Sequence, residues 1–231
     1  AELYKRVAGL AAGLRKQGVT AGDRVAAMMP NCIETIIGML ATTSIGAIWS
    51  SCSPDFGVQG VLDRFGQIEP KVLITVDGYF YNGKNLNIKD KTADIVEKIP
   101  SIERTVIVNF SDQQETFTGD NVVSWDDFSD SSATQIEFVE RNFNDPLYIM
   151  FSSGTTGVPK CIVHGTGGTL LQHLKEHGLH TDLDTEDNLF YFTTCGWMMW
   201  NWLVSGLAVG ATLTLFDGSP FAPEPEFLWD V

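Results

Sequence analysis

The chain has 231 residues, 44% of them hydrophobic and 11% aromatic, an ordinary globular composition that excludes disorder over its whole length. Its 15 Lys and Arg face 29 Asp and Glu, a formal net charge of −14 at pH 7, so the chain as a whole repels phosphodiester backbones and nucleic acid is not an expected partner. An acidic protein of this kind grips an anionic ligand through local donors and a metal ion, not through its overall field.

In chain order, Leu3, Val7, Leu10 and Leu14 share one helical face that Gly18 can close, and Val25 to Met29 follows as a short apolar strand ended by Pro30-Asn31. The pattern repeats with a helix from about Ile33 to Ile45, a strand Ala47 to Ser50, a helix Val58 to Ile68 and a strand Val72 to Val76. A helix near Ala93 to Ile99 and a strand Thr105 to Phe110 come next. Strands alternating with helices of this length predict an α/β fold with parallel crossovers.

From Ser111 to Asp145 the chain turns polar and acidic, which predicts a solvated excursion holding one short segment around Val122 to Phe128. Core composition returns at Leu147-Tyr-Ile-Met-Phe151. Asn188 to Phe216 carries no Asp, Glu, Lys, Arg or His, long enough to suggest a bilayer span. Gly196, Asn201, Ser205, Gly206 and Gly210 interrupt it, and Ala211 to Phe216 alternates like a strand, so a buried helix feeding a buried strand is expected and membrane insertion is not. Cys32, Cys52, Cys161 and Cys195 form no C-x-x-C and sit among small or apolar residues, as buried thiols do, which suits a reducing, cytosolic compartment. The first residue is Ala, and Phe221-Ala-Pro-Glu-Pro225 near the end reads as a connector, so 1–231 is expected to be a piece of one domain of something longer.

The segment after Phe151, Ser152-Ser-Gly-Thr-Thr-Gly-Val-Pro-Lys160, has the residue types of an anion cradle. Gly154 and Gly157 allow positive φ and close backbone approach, so successive N–H groups can converge on phosphate oxygens. Ser152, Ser153, Thr155 and Thr156 add hydroxyls, and Lys160 adds a positive charge. A flexible linker has the same composition, but linkers are seldom launched from one apolar strand into another, here Cys161-Ile-Val163, with a rigid Pro159 before the lysine. The common nucleotide P-loop needs Gly before Lys, Ser or Thr after it, and a helix next; Pro159 and Cys161 occupy those positions. His173, His177 and His180 share a possible helical face without an H-E-x-x-H, so a packed or hydrated helix is the simpler reading than a zinc site. His164 reads as a structural histidine close to the loop.

The run Tyr148 to Lys160 resembles the signature phosphate-binding motif of the acyl-CoA synthetase, luciferase and peptide-synthetase adenylation-domain superfamily. Ser53-Pro-Asp-Phe-Gly57, Gly165-Thr-Gly-Gly-Thr169 with His173-Leu-Lys-Glu-His177, and Gly196-Trp-Met-Met-Trp-Asn-Trp202 resemble the acetoacetate-activating ligases within it, relatives of acetyl-CoA synthetase. The resemblance implies part of the large N-terminal adenylating domain, mostly parallel sheets flanked by helices, without the C-terminal lid. It implies ATP, Mg²⁺, CoA and acetoacetate as small-molecule partners: the acid attacks the α-phosphorus, pyrophosphate leaves, and the acyl-adenylate acylates CoA. Ser152 to Gly157 with Lys160 would hold the ATP phosphates, with Thr155 and Lys160 catalytic and no protein side chain in 1–231 bound to the metal. Trp197, Met198, Met199 and Asn201 would line the acyl pocket, Asn201 meeting the ketone, although aromatics and Met at adjacent positions are also ordinary core. Asp77 to Lys84 resembles a CoA-nucleotide segment, with Gly83 and Lys84 the candidates, and a solvated surface lysine is the alternative. Another short-chain ligase, a carrier-loading adenylation domain, or a truncation that binds nucleotide without turnover stay open as alternatives.

Overall fold

The computed structural model describes residues 2–111, 117–152, 157–222 and 224–229. Helix α1 (Glu2–Lys16) buries Val7, Leu10 and Leu14 and ends where Gly18 takes φ +82°. Strand β1 (Arg24–Met28), α2 (Ile33–Ser44), β2 (Ile48–Cys52), α3 (Val58–Ile68) and β3 (Val72–Val76) follow the expected alternation, and β1 to β3 are almost wholly buried. The near-continuous apolar composition of β1 and β3 fits strands covered on both faces, and β2, Ile-Trp-Ser-Ser-Cys, is buried as fully with its two serines hydrogen-bonded.

After β3 the chain makes an antiparallel hairpin, β4 (Gly78–Tyr81) and β5 (Lys84–Asn87), then α4 (Lys89–Lys98) and β6 (Arg104–Val108). The helix starts a turn before the expected Ala93, and just ahead of its Ile88 cap Asn87 Oδ1 accepts the Lys89 N–H at 2.7 Å. The strand stops short of Phe110 because the buried Asp77 carboxylate takes the N–H groups of Phe110 and Ser111, at 2.8 and 2.9 Å, alongside that of Gly78.

Next come β7 (Val122–Ser124), α5 (Trp125–Phe128), β8 (Pro146–Phe151), β9 (Cys161–Gly165), α6 (Thr166–Lys175) running into a π turn (Glu176–His180), β10 (Asn188–Phe190), α7 (Met198–Ser205) and β11 (Thr212–Thr214). Seven strands form one sheet in the order β7-β6-β3-β1-β2-β8-β9, parallel throughout except for β8 with β9. Moving from β1 to β2 goes one way along the sheet and from β2 to β3 the other, so right-handed crossovers set α2 and α3 on opposite faces. Accordingly α1 packs on α2, and α3 on α4.

The apolar stretch holds the expected buried helix, but the strand that follows it, β11, is only partly covered because it pairs in parallel with β10 alone as a separate two-stranded ribbon. No helix among the described residues is long and apolar enough to cross a membrane. The described part of the polar run, residues 117–145, is largely exposed, but its backbone is a strap rather than a free excursion. Asp130 N–H donates to Gly9 O at 3.0 Å, Val139 N–H to Ser44 O at 2.9 Å, and Ile136 N–H to Tyr4 Oη at 3.1 Å. Gly13 is where the strap crosses α1: a Cβ there would lie 2.2 Å from Phe128 O. Gly13→Ala, which raises helix propensity in isolation, is therefore expected to destabilise the fold by about 2–3 kcal/mol through forced displacement of the strap, read as a lower urea midpoint.

Candidate functional site

In a parallel sheet all strands point the same way, so the chain leaving β1, β2, β3 and β8 emerges at one edge, the edge where α/β sheets bind ligands. At that edge stand Asn31 after β1, Ser53-Pro-Asp55 after β2, the β4–β5 hairpin after β3, and the glycine-rich segment after β8.

That segment joins two antiparallel strands and does not open into a helix. Its neck is closed by Ser152 N–H donating to Lys160 O at 3.0 Å and Lys160 N–H donating to Ser152 Oγ at 2.9 Å. Pro159 is buried, and its carbonyl accepts Gln67 Nε2–H from α3 at 2.7 Å. The lysine is thus anchored through its backbone while its side chain stands exposed, and Gly157 takes φ +147°. Of the expected phosphate ligands, Ser153, Gly154, Thr155 and Thr156 lie outside the described residues.

The tryptophan-rich segment is tied to the same strand. Asn201 Nδ2 donates to Met150 Sδ at 3.3 Å and to Trp197 O at 3.5 Å, linking α7 to β8 two residues before the loop begins. Ser51 Oγ donates to Cys195 O at 2.7 Å and Ser50 Oγ to Ile149 O at 2.8 Å, so β2 braces both. Trp197, 63% exposed, caps the start of α7 and shares with Met199 and residues 191–194 an open hollow of about 280 Å³. Met198 packs against the core. Trp200 is wholly buried, donating Nε1–H to Asn31 Oδ1 at 2.9 Å and stacking on Trp49 at 6.4 Å. Asn201 faces away from the hollow, into a separate apolar cavity of about 560 Å³ lined also by Tyr148 and His173, and its Oδ1 has no partner among the described residues. The structure therefore brings Trp197 and Met199 together and sets Asn201 behind them.

Gly83 and Lys84 sit at the hairpin tip, where Asn82 and Gly83 take φ +48° and +75°. That is an Asn-Gly turn, the strongest short hairpin signal, and it marks the element that the helix and strand periodicities pass over. Lys84 is exposed. Along the β4 side of the hairpin a cavity of about 420 Å³ is bounded by Asp55, Tyr79, Asn82, Thr194 and Asp217.

Burial, and then the nearby Asp55 charge, push the Asp217 carboxyl up from an ordinary 3.8 to about 6 against the pull of the Asn31 amide. Its Oδ2 is buried without a partner among the described residues. A carboxyl whose folded pKa lies above its unfolded one contributes its stability below pH 3.8 and loses it as pH rises through about 6. Asp217→Asn is expected to stabilise the chain at pH 7.5 by about 2 kcal/mol and to change little at pH 4, measured by urea unfolding at both.

Cys32, Cys52 and Cys195 are buried, as expected; Cys161 is exposed, because the edge strand β9 leaves it uncovered. Burial pushes the Cys32 and Cys52 thiols up to about 12, which makes them inert. His164 packs over Tyr148 at 5.0 Å. His173 and His177 meet edge to face at 6.4 Å, and no group of three His, Cys, Asp or Glu able to hold a metal occurs among the described residues.

The family model of AMP-binding enzymes matches residues 1–231. The chain is 58% identical over 232 residues to the acetoacetyl-coenzyme A synthetase of Rhizobium meliloti (strain 1021), covering 99% of this chain and 35% of that protein. Against the acetoacetyl-CoA synthetase of Gallus gallus it is 50% identical over 237 residues, covering 100% of this chain and 36% of the relative. The solved structure of acetoacetyl-CoA synthetase from Streptomyces lividans superposes with a TM-score of 0.94 at 43% identity, over 99% of this chain and 35% of that one. The chain thus spans about a third of the length of these relatives. With a match to the family model over its whole length, the chain belongs to the AMP-binding enzyme family.

Proposed function

We propose that this chain is the phosphate-binding part of an ATP-dependent acid:CoA ligase that converts acetoacetate, through its adenylate, to acetoacetyl-CoA, AMP and pyrophosphate. The observation that carries this reading is the closed-neck loop at the carboxyl edge of the sheet, with Lys160 held by its backbone so that its ammonium is free to reach a ligand. In the first half-reaction a carboxylate oxygen bonds to the α-phosphorus and the bond from that phosphorus to the bridging oxygen breaks, releasing pyrophosphate. The loop N–H groups and hydroxyls from Ser152 to Gly157, with Thr155 and Lys160, hold the phosphates in line and offset the charge on the leaving group. Mg²⁺ bound with ATP would lower the charge of the phosphates further. In the second half-reaction the CoA sulfur bonds to the acyl carbon, the carbon–oxygen bond to AMP breaks, and the thiol proton goes to solvent.

The hollow beside Trp197 and Met199 receives the acid, with Met198 fixing the wall from the core side. Asn201 supports that wall through the Trp197 carbonyl, so its effect on the ketone is indirect. Lys84 and Gly83, above the cavity that contains Asp55 and Asp217, offer the CoA nucleotide a cationic tip. Buried free thiols suit a reducing cytosolic setting. The test is acid-dependent pyrophosphate exchange in the full-length enzyme: acetoacetate is expected to support exchange at least tenfold better than butyrate, and equal rates would overturn the substrate assignment. Residues 1–231 alone are expected to give no acetoacetyl-CoA; turnover by this segment would refute the division of labour.

A further inference from the structure

His177 lies on the π turn that ends α6, is wholly buried, and touches the far end of the helix whose first turn borders the hollow. Its Nε2 is 2.9 Å from both Trp202 O and Ser205 Oγ, while Ser205 Oγ donates to the same carbonyl at 2.6 Å. A carbonyl only accepts, so Nε2 carries the proton and Nδ1 is the bare nitrogen. Nδ1 is buried without a partner among the described residues. The ring therefore adds an N–H to the last turn of α7, at a carbonyl that Ser205 Oγ also reaches. It also lies 4.3 Å from the Trp202 ring, and Trp202 meets Tyr191, a wall of the hollow, edge-on at 6.0 Å. A π turn is rare and is frequently found at functional sites, and His177 lies on this one.

We propose that His177 is a positioning residue that sets the shape of the acid-binding hollow, acting through the last turn of α7 and through the Trp202–Tyr191 contact. This rests on the reading that the hollow holds the acid. Helix α7 is pinned in its first half by Trp200 on Asn31 and Asn201 on Met150, and His177 adds a fixed point in its second half.

Protonation breaks this arrangement, because a proton on Nδ1 adds a charge and a donor that face no acceptor. Burial, which outweighs the opposing pull of the Trp202 carbonyl and Glu176, holds the ring's pKa below the usual histidine value, so it stays neutral at pH 7. The ionisable groups around it are Glu176 beside it and His173 one turn back; residues 198–209, packed against it, contain none. The acidic limb is therefore expected to weaken acid binding before it touches ATP binding.

The experiment uses the full-length enzyme with His177→Phe, which keeps the ring volume, and His177→Gln, whose terminal N–H₂ can reach the same carbonyl. For His177→Phe the acetoacetate KM is expected to rise about tenfold with the ATP KM within twofold, and His177→Gln should recover most of it. In the wild type the acetoacetate KM should rise as pH falls toward 5, and in His177→Gln it should stay flat. An unchanged acetoacetate KM in His177→Phe, or equal rises in both KM values, overturns the proposal. Should His177→Phe fail to fold, the wild-type and His177→Gln pH profiles decide it alone, and identical profiles overturn it. Absence of any acid-dependent exchange in the wild type would instead remove the functional reading on which it rests.

Discussion

Replacing Lys160 with alanine in the full-length enzyme is expected to lower acid-dependent pyrophosphate exchange by about 100-fold or more while leaving the melting temperature nearly unchanged, because a preorganised donor aimed at developing charge accounts for roughly that factor. The two halves of the prediction come from one geometric fact. What Lys160 gives the fold is its backbone: its N–H donates to Ser152 Oγ and its carbonyl accepts Ser152 N–H, and an alanine keeps both. What alanine removes is the exposed ammonium, the group proposed to meet the phosphates. Lys160→Arg retains charge with a different reach and should fall between the two. Exchange within threefold of wild type in Lys160→Ala would mean that the ammonium does not meet the phosphates. Gln67 tests the same geometry from behind: it grips Pro159 O, so Gln67→Ala loosens the stem and should reduce exchange modestly without abolishing it.

Much of this architecture is written locally. Helix α3 and strand β3 fall on Val58–Ile68 and Val72–Val76, the bounds that apolar spacing predicts, because Gly57 and Pro70 punctuate them and both elements have an unambiguous apolar pattern. The strands flanking the glycine-rich loop are legible for the same reason. The strap is different: Ser111 to Asp145 has the composition of a solvated loop, and what ties it down is the absence of side chains at Gly9 and Gly13 on α1, more than a hundred positions away. No local pattern encodes that. The split between Met199 and Asn201 was legible in principle, since residues two apart on a helix point about 200° apart and cannot line one wall. Trp197 escapes this rule because it is the cap, with extended backbone at φ −104° and ψ 150°. His177 is hidden more deeply, because its role depends on a π turn and on the end of a helix 25 residues away.

Trp200→Ala should be the most destabilising single change in the site, lowering stability by about 4–5 kcal/mol, with a lower urea midpoint at unchanged slope. The indole fills a wholly buried position against Trp49, so alanine leaves a cavity that the β2–α7 interface cannot collapse to fill. It also strips the donor from Asn31 Oδ1, and an orphaned buried acceptor costs about 1–3 kcal/mol. Trp200→Phe separates these terms: the packing largely survives and the hydrogen bond does not, so a loss of about 2 kcal/mol is expected. A loss below about 0.5 kcal/mol would show that the Asn31 contact contributes nothing. The consequence extends beyond stability, because the same Asn31 donates Nδ2–H to Phe216 O at 3.3 Å and its backbone N–H to Asp217 at 3.4 Å. One asparagine at the end of β1 therefore connects the helix beside the hollow to the chain beside the hairpin cavity. Trp200→Phe should accordingly shift the titration of Asp217, followed by carboxyl NMR, although the two side chains do not touch; an unmoved Asp217 would limit the role of Asn31 to holding the tryptophan.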